Sequence, residues 1–423
     1  MALTRRRLLG AAAGTAVLAG CGGARRPGPA AAEGADAAAA RLEPRSWASV
    51  RRQFVLDRRT RDFNAYYLAP HPAPVRAAIE RHRRGLDRGA HAYLDANQSV
   101  LEEATARAAG RHLGVPARQI AFTDSTTMGL GLVYGGLALR EGDEVLTTEH
   151  DHWIHHEAIR LAVERAGASQ ARVALYDVED PVKADADAMV QALTAAITPR
   201  TTVVGLTWVH SGTGVKLPLA RLAAAVKATA PGALVVVDGV HGFGAEAARP
   251  GALGCDVFVS GCHKWLMGPR GTGLVWATPA AWQRVTPVIP TFASGQAPGA
   301  LHTPGGFHSF EHRWALAQAF GFQRAIGPAR IQARVRTLAA RLRRGLAGLG
   351  GVRVITPPGA LMAGLVMVDL ANAPAEQVVA ELRSAGIATS VPPYQQRYVR
   401  FGTQVTLSPA DVDAAVRAVR RLA

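Results

Sequence analysis

The chain has 423 residues, of which 48% are hydrophobic, and it carries 48 Lys and Arg against 32 Asp and Glu, a formal net charge of +16. This length fits a two-domain globular protein, and the apolar content excludes global disorder. Beyond residue 20 no apolar run reaches the roughly 18 residues of a membrane span, which excludes a polytopic membrane protein. The arginines lack interleaved aromatic residues, so we predict a solvated basic surface and no nucleic-acid partner; attraction to anionic lipid or acidic substrates stays open.

Residues 1–21 predict an export signal with a lipobox. Arg5, Arg6 and Arg7 precede a short Ala- and Gly-rich stretch and resemble a twin-arginine signal. The Leu-Ala-Gly-Cys run that ends at Cys21 resembles a bacterial lipobox, in which that cysteine becomes lipidated. Residues 22–45 are rich in Ala, Gly and Pro and predict a flexible linker. We therefore expect an exported, extracytoplasmic lipoprotein that meets the membrane only through an N-terminal lipid anchor.

Residues 46–319 predict a large α/β domain preceded by a short N-terminal segment. Strand-like runs alternate with helical stretches, and runs that are apolar on both faces are typical of a mostly parallel, doubly wound sheet. The predicted strands are residues 119–123, 144–148, 171–175, 201–207, 234–238 and 256–259, and the predicted helices are residues 101–113, 128–139 and 154–166. In such a sheet, ligands bind at the carboxyl ends of the strands.

Residues 320–423 predict a small C-terminal α/β domain. A long amphipathic helix over about 324–349 precedes strands near 352–355, 364–369, 387–391 and 398–403 and a helix near 374–385. Ser408 as N-cap, Pro409 at the first helical position and Asp411 as the capping acid predict the start of the last helix.

Lys264 is one of only four lysines in this arginine-dominated chain. It follows a buried run in a Gly-rich turn, and a Schiff base requires lysine because the attacking amine must lose its proton. Asp238 ends another apolar run, where its carboxylate could pair with the pyridine nitrogen of pyridoxal phosphate (PLP) and make that cofactor an electron sink. The structural alternatives are a salt bridge at Lys264 and a turn cap at Asp238.

A phosphate site and a ring-stacking histidine complete this pattern. Thr126 and Thr127 follow a strand and open a helix, where backbone N–H groups bind anions, although plain helix capping is the alternative. His150 and His152 lack the spacing of a helical zinc site, and two cysteines beyond the export signal cannot supply four ligands, so we predict no metal. Stacking of one imidazole, that of His150 or His152, on an aromatic cofactor is the favoured interpretation.

Together these segments resemble the class V aminotransferase family of PLP-dependent enzymes, which includes cysteine desulfurases, kynureninase and isopenicillin N epimerase. The resemblance extends from about residue 50 to the C-terminus and rests on residues 124–127, 149–150, 210–214, 237–241 and 261–265. The Cys-His-Lys-Trp run at 262–265 is most similar to the epimerase branch. The resemblance implies a PLP-dependent aspartate-aminotransferase-like fold and a homodimer with active sites between its subunits.

The resemblance also implies a role for each site residue. Lys264 would bind PLP as a Schiff base and shuttle the α-proton, Asp238 would pair the pyridine nitrogen, and Arg400 would clamp the substrate α-carboxylate. The other cofactor contacts would be Thr126, Thr127 and His263 at the phosphate, Ser211 and His241 near the phenolic oxygen, and His150 against the ring, with His152 as its rival.

Two departures from the family pattern shape the functional prediction. Gly261 stands where relatives often carry a phosphate-binding Ser or Thr, and no cysteine follows Cys262, which disfavours persulfide chemistry. We predict an epimerase-like enzyme acting on an amino acid or peptide, with Tyr67, His71 and His312 as unranked candidates for the acid on the opposite face. Transamination, β-elimination and a non-catalytic lipoprotein that retains the fold are the alternatives.

Overall fold

The computed structural model describes residues 42–293 and 297–423. The predicted export signal and lipobox at 1–21, and nearly all of the predicted linker at 22–45, lie outside these described residues. Among the helices of the described part, none is long and apolar enough to cross a membrane.

The N-terminal segment contains helix α1 (Trp47–Arg52), strand β1 (Arg61–Asp62) and the 41-residue helix α2 (Ala73–Leu113). Non-helical backbone at Gly89 kinks α2. The helix predicted over 101–113 is therefore confirmed as the end of a longer one. Its first half was not predicted because Arg, His and Gly dilute the apolar periodicity there, and only a narrow stripe around Val75 and Ala78 is buried.

A seven-stranded sheet forms the centre of the molecule, with strand order β2-β8-β7-β6-β5-β3-β4. Its strands are β2 (Ile120–Thr123), β3 (Glu144–Thr148), β4 (Ser169–Val173), β5 (Thr201–Thr207), β6 (Leu234–Asp238), β7 (Val257–Gly261) and β8 (Gly273–Ala277). The helices that follow α2 in this region are α3 (Thr126–Gly136), α4 (Trp153–Ala166), α5 (Ala186–Ala196), α6 (Leu219–Thr229), α7 (Pro250–Leu253), α8 (Pro279–Trp282) and α9 (Pro298–Leu301).

The sheet is mostly parallel, which confirms the predicted fold class. β8 alone among these seven strands runs antiparallel to its neighbours β7 and β2. β5, β6 and β7 are buried along almost their whole length, as strands covered on both faces must be. Three strands match their predicted bounds, β4 begins two residues earlier than predicted, and β8 was not predicted.

Helices α10 (Phe310–Ile326) and α11 (Pro328–Ala347) lead into the predicted C-terminal unit, residues 320–423. The single helix predicted over 324–349 is therefore wrong at its start, because Gly327 has a positive φ of 95° and Pro328 begins a new helix. Strands β9 (Val352–Val354), β10 (Leu365–Leu370) and β12 (Val399–Gly402) form a three-stranded sheet, and α12 (Ala375–Ser384) precedes the short strand β11 (Ile387–Ala388).

The last helix, α13 (Pro409–Arg420), begins as predicted. The Ser408 side chain accepts a hydrogen bond from the Asp411 N–H, and the Asp411 carboxylate accepts one from the Ser408 N–H. The C-terminal unit also draws on the start of the chain: β1 pairs in parallel with β11, and Phe63 packs edge-on against Phe401 at 5.5 Å. The domain boundaries themselves remain a prediction.

Candidate active site

The predicted cofactor residues lie at the carboxyl ends of neighbouring parallel strands. Asp238 is the last residue of β6, and His241 follows in the next loop. Lys264 comes three residues after β7 ends, and Ser211 comes four residues after β5 ends. Because these strands are adjacent and parallel, their ends converge on one edge of the sheet, the edge where α/β proteins bind ligands.

Lys264 differs from the other three lysines in its partner. Lys183, Lys216 and Lys227 each lie within 3.2 Å of a carboxylate oxygen, from Asp180, Glu246 and Asp256 respectively. The Nζ of Lys264 instead lies 3.2 Å from the Nε2 of His241. Among the described residues Lys264 therefore forms no salt bridge, and the structural alternative that the sequence left open for it is not confirmed.

The surroundings of Lys264 favour its uncharged amine. Burial lowers the pKa of Lys264 to about 8, and the positive charge of Arg400 acts in the same direction, while Asp238 opposes both. A lysine with this pKa has an appreciable fraction of free amine near neutral pH, which is the form that attacks a carbonyl.

Asp238 is a buried carboxylate with few partners. It accepts a hydrogen bond from the Val240 N–H at 3.0 Å. Burial raises its pKa, and the nearby His155 and Lys264 oppose that rise. A desolvated carboxylate of this kind needs a cation to hold it ionised, and a protonated ring nitrogen would supply one.

The start of α3 forms an anion cradle beside these residues. Ser125 caps the helix by accepting the Met128 N–H, and the Thr126 hydroxyl accepts the Gly261 N–H at 2.7 Å. The Nδ1 of His263 is buried without a hydrogen-bond partner in the described structure. Thr127 is exposed at the same helix start. Backbone N–H groups at this helix start provide the positive end that phosphate prefers.

Gly261 has a steric reason to lack a side chain. A Cβ at this position would lie 2.9 Å from Cε1 of His263 and 3.2 Å from Oγ1 of Thr126. The space that a Ser or Thr would occupy in relatives is thus filled here by the imidazole. This packing brings together His263 and Thr126, two of the side chains that the resemblance assigns to the phosphate.

The structure separates the two candidate ring-stacking histidines. The ring of His150 lies flat on Tyr176 at 3.8 Å, and its Nε2 accepts the Leu175 N–H at 3.1 Å, so this side chain is engaged within the protein. His152 caps α4 and lies near Lys264 and Arg400, whose positive charges add to burial in lowering its pKa to about 4. This placement favours His152, the rival in the sequence analysis.

Arg400 reaches the same edge from the C-terminal unit. It lies on β12 and is buried; its guanidinium donates to the Ser211 carbonyl at 3.2 Å and to the Ser390 hydroxyl at 3.3 Å. Neither of these partners carries a charge. The guanidinium therefore has a positive charge to offer to a ligand carboxylate, as its predicted role requires.

Sequence reasoning missed Tyr394, which also lies at this edge. Its hydroxyl lies 2.6 Å from the Ser211 hydroxyl, and its ring meets His152 edge-on at 5.9 Å. Tyr394 belongs to a loop of the C-terminal unit with no helical or strand periodicity, and 183 residues separate it from Ser211. No local signal in the sequence could have placed it here.

The sheet is doubly wound, and a partly desolvated lysine and a buried aspartate lie at the ends of adjacent strands. This arrangement is that of aspartate-aminotransferase-like PLP enzymes. The chain belongs to the class-V aminotransferase family, which it matches over residues 80–417. It is 29% identical to an isopenicillin N epimerase from Amycolatopsis lactamdurans over 74% of this chain and 81% of that protein. It is 25% identical to a probable cysteine desulfurase from Vibrio cholerae over 68% of this chain and 72% of that one.

The fold is also shared with a solved PLP protein. A variant of C-DES with glycine covalently linked to its PLP cofactor superposes with a TM-score of 0.80 at 20% identity, covering 88% of this chain and 98% of that chain. At this identity the similarity shows the fold alone.

The family is PLP-dependent, and the residues of this chain fit that cofactor. Lys264 offers a free amine to the aldehyde, and Asp238 offers a desolvated carboxylate to the ring nitrogen. The unpartnered Nδ1 of His263 and the start of α3 offer N–H donors to the phosphate. The chain is therefore a PLP-dependent enzyme of this family.

Proposed function

We propose that the enzyme moves the α-proton of an amino acid or peptide and most resembles isopenicillin N epimerase in its reaction. The observation that carries this proposal is the convergence of Lys264, Asp238 and Arg400, none of which has an oppositely charged side chain as its hydrogen-bond partner in the described structure. Each of the three side chains is thus available to a ligand. Bound PLP supplies an electron sink for the carbanion that forms when the α-proton leaves.

The residues divide the work by their chemistry. Arg400 binds the substrate carboxylate through its planar guanidinium and so fixes the orientation of the α-carbon. The Nζ of Lys264, once free, accepts the α-proton, for which a pKa of about 8 is well matched near neutral pH. Asp238 stabilises positive charge on the ring nitrogen, and the His152 ring covers one face of the site.

Epimerisation further requires a proton donor on the other face of the α-carbon. Of the three candidates, Tyr67 lies over Lys264, with its ring centroid 5.9 Å from Nζ. His71 instead lies near Arg270 and His312, and the Nδ1 of His312 bonds to the Arg270 carbonyl at 3.0 Å. Tyr67 is the candidate that the structure brings beside Lys264, and we propose it for this role, which requires its hydroxyl to reach the face of the α-carbon away from Nζ.

The cysteines argue against desulfuration. Cys255 and Cys262 are both buried, and burial raises the pKa of Cys255 to about 12 and that of Cys262 further still. A persulfide-forming cysteine must be an accessible thiolate. Neither residue meets this requirement, which supports chemistry at the α-carbon without sulfur transfer.

The proposal is tested by incubating the full-length, PLP-loaded protein with a panel of L-amino acids and short peptides in deuterated water. We expect α-deuteration together with appearance of the opposite configuration, and neither in Lys264→Ala. Formation of a keto acid from the substrate would identify an aminotransferase instead, and loss of a β-substituent would identify a lyase. Absence of deuteration across the panel, with PLP bound, would refute action at the α-carbon.

We also propose a homodimer that is exported and anchored by lipid at Cys21. Support for the dimer comes from large apolar side chains that are exposed after β8 and before α10, above all Phe292 and Phe307, at 77% and 86%. A second copy that covers them would remove this apolar surface from water. Light scattering of the wild type and of Phe307→Ser tests the dimer, and mass spectrometry of the membrane-extracted N-terminus tests lipidation at Cys21.

A further inference from the structure

Trp265, the residue after Lys264, makes a hydrogen bond that the proposed reaction does not use. Its indole is buried and stacks on Tyr66 at 5.5 Å. The indole Nε1 lies 3.3 Å from Nδ1 of His241. Because an indole nitrogen can only donate, Nδ1 of His241 must be the acceptor.

This contact determines which ring nitrogen of His241 carries the proton. An imidazole that accepts a hydrogen bond at Nδ1 has no proton there and is therefore neutral, and burial lowers the pKa of His241 well below its usual value in the same direction. A neutral imidazole that accepts at Nδ1 carries its proton on Nε2. Nε2 is the atom that lies 3.2 Å from the Nζ of Lys264.

The Nε2–H of His241 therefore points at the amine of Lys264. An ammonium group has three donors and no acceptor, so it cannot accept a hydrogen bond from this N–H, and the two donors would repel each other. An uncharged amine has a lone pair that accepts the same N–H. The chain of contacts from Trp265 through His241 thus stabilises the free amine.

We propose that Trp265 is a positioning residue that, by fixing the Nε2–H tautomer of His241, holds Lys264 as the free amine that captures the cofactor. The inference rests on the proposed role of Lys264, yet it concerns the protein before PLP binds. The indole N–H is 3.3 Å from His241 and touches no reacting atom, so Trp265 acts only through the imidazole.

Other groups also face this pair and must stay constant in any test. Those that bear on Lys264 or His241 are Asp238, Arg400, His152, His263, Tyr66 and Tyr67. A replacement confined to the N–H of Trp265 leaves all of them in place. The benzothiophene analogue of tryptophan is such a replacement, because it keeps the bicyclic shape and lacks the donor.

The experiment compares the full-length wild type, Trp265→Phe and the benzothiophene analogue at position 265, each freed of PLP. Nitrogen-15 NMR of labelled histidines reports the tautomer of His241. The pH dependence of amine modification at Lys264, read by mass spectrometry, reports its pKa. Trp276→Phe is the matched control, because that indole is also buried and donates to Gln119 at 3.0 Å.

Without the Trp265 N–H, we expect protonation at Nδ1 of His241 and a rise of about one unit in the pKa of Lys264, which is a roughly tenfold smaller free-amine fraction below that pKa. Trp276→Phe should match the wild type. Unchanged histidine spectra and an unchanged pKa in the benzothiophene protein would refute the proposal, as would an equal shift in Trp276→Phe. If the wild type fails to bind PLP at all, while loss of the Trp265 N–H still changes the tautomer of His241, the proposed function is refuted and this inference stands.

Discussion

Two buried aspartates at the same edge of the sheet differ in the number of hydrogen bonds that their carboxylates accept. Asp151, just after β3, receives hydrogen bonds on both carboxylate oxygens: one takes the Thr207 N–H at 2.9 Å, and the other takes the Thr147 hydroxyl at 2.6 Å and the Thr148 N–H at 2.9 Å. Within the described structure, Asp238 receives one, from the Val240 N–H. The saturated carboxylate joins β3 to β5, whereas the sparsely bonded one is available to a ligand.

The largest effect should come from removing the amine of Lys264, which lies near Asp238. Lys264→Ala should lose the absorbance band of bound cofactor and lower turnover by at least about a thousandfold, because the amine both binds the aldehyde and accepts the α-proton. Lys227→Ala is the control, since that lysine pairs with Asp256 away from the site. Equal turnover in Lys264→Ala and the wild type would contradict the proposed site.

The two aspartates themselves allow a paired test. Asp151→Asn should lower the free energy of unfolding by about 3 kcal/mol, because its NH₂ group would face N–H or O–H donors that now bind a carboxylate. Asp238→Asn should raise the free energy of unfolding of the PLP-free protein at pH 7, since burial raises the pKa of this carboxyl and disfavours its ionised form.

Turnover, in contrast to stability, should be lowered more by Asp238→Asn than by Asp151→Asn. With PLP bound, Asp238→Asn should lower turnover by roughly a hundredfold, because the ring nitrogen loses its counter-charge. Urea unfolding and turnover measured on both variants provide the check. A stable, inactive Asp151→Asn beside a destabilised, active Asp238→Asn would reverse the assignment of the two aspartates.

A smaller effect should appear in the pH dependence of stability. Replacing Lys264 by Met should raise the free energy of unfolding of the PLP-free protein by about 1–3 kcal/mol at pH 7, because burial lowers the pKa of this lysine. Between pH about 8 and 10.5 the unfolded wild type binds a proton that the folded state does not, so wild-type stability rises with pH and the difference from the variant closes. Urea titrations at pH 7 and 10.5 measure both ends; a difference that widens with pH would contradict the lowered pKa.

The parts of the fold predicted from the sequence are those with strong local patterns. The bounds of β5 and β6 were predicted because short runs dominated by β-branched residues have few alternatives to a buried strand. Lys264 and Asp238 were found because a scarce residue type and a strand end coincide with a chemical requirement. β8 was missed since its short run follows a Gly-rich turn, and the break at Gly327 was missed because the apolar periodicity continues across it.

The histidines and Tyr394 show where local patterns stop being informative. His150 and His152 lie two residues apart, and they are distinguished by the packing of Tyr176 on His150 and by the position of His152 near Lys264 and Arg400. Tyr394 reaches the site through the folding of the C-terminal unit onto the sheet, which no residue spacing encodes. Side chains that arrive by such long-range packing have to be found in the structure.

Tyr394 gives the smallest expected effect and the finest test of the contrast between scaffold and ligand-facing groups. Tyr394→Phe removes the hydroxyl that lies 2.6 Å from Ser211, beside the guanidinium of Arg400. If this hydroxyl contacts the substrate, KM should rise by about three- to tenfold, the loss of one neutral hydrogen bond, with kcat and the urea midpoint nearly unchanged. If the hydroxyl instead has a structural role, as the groups around Asp151 do, the urea midpoint should fall while KM stays constant. Tyr394 would then belong with the structural groups and not with those that face the ligand.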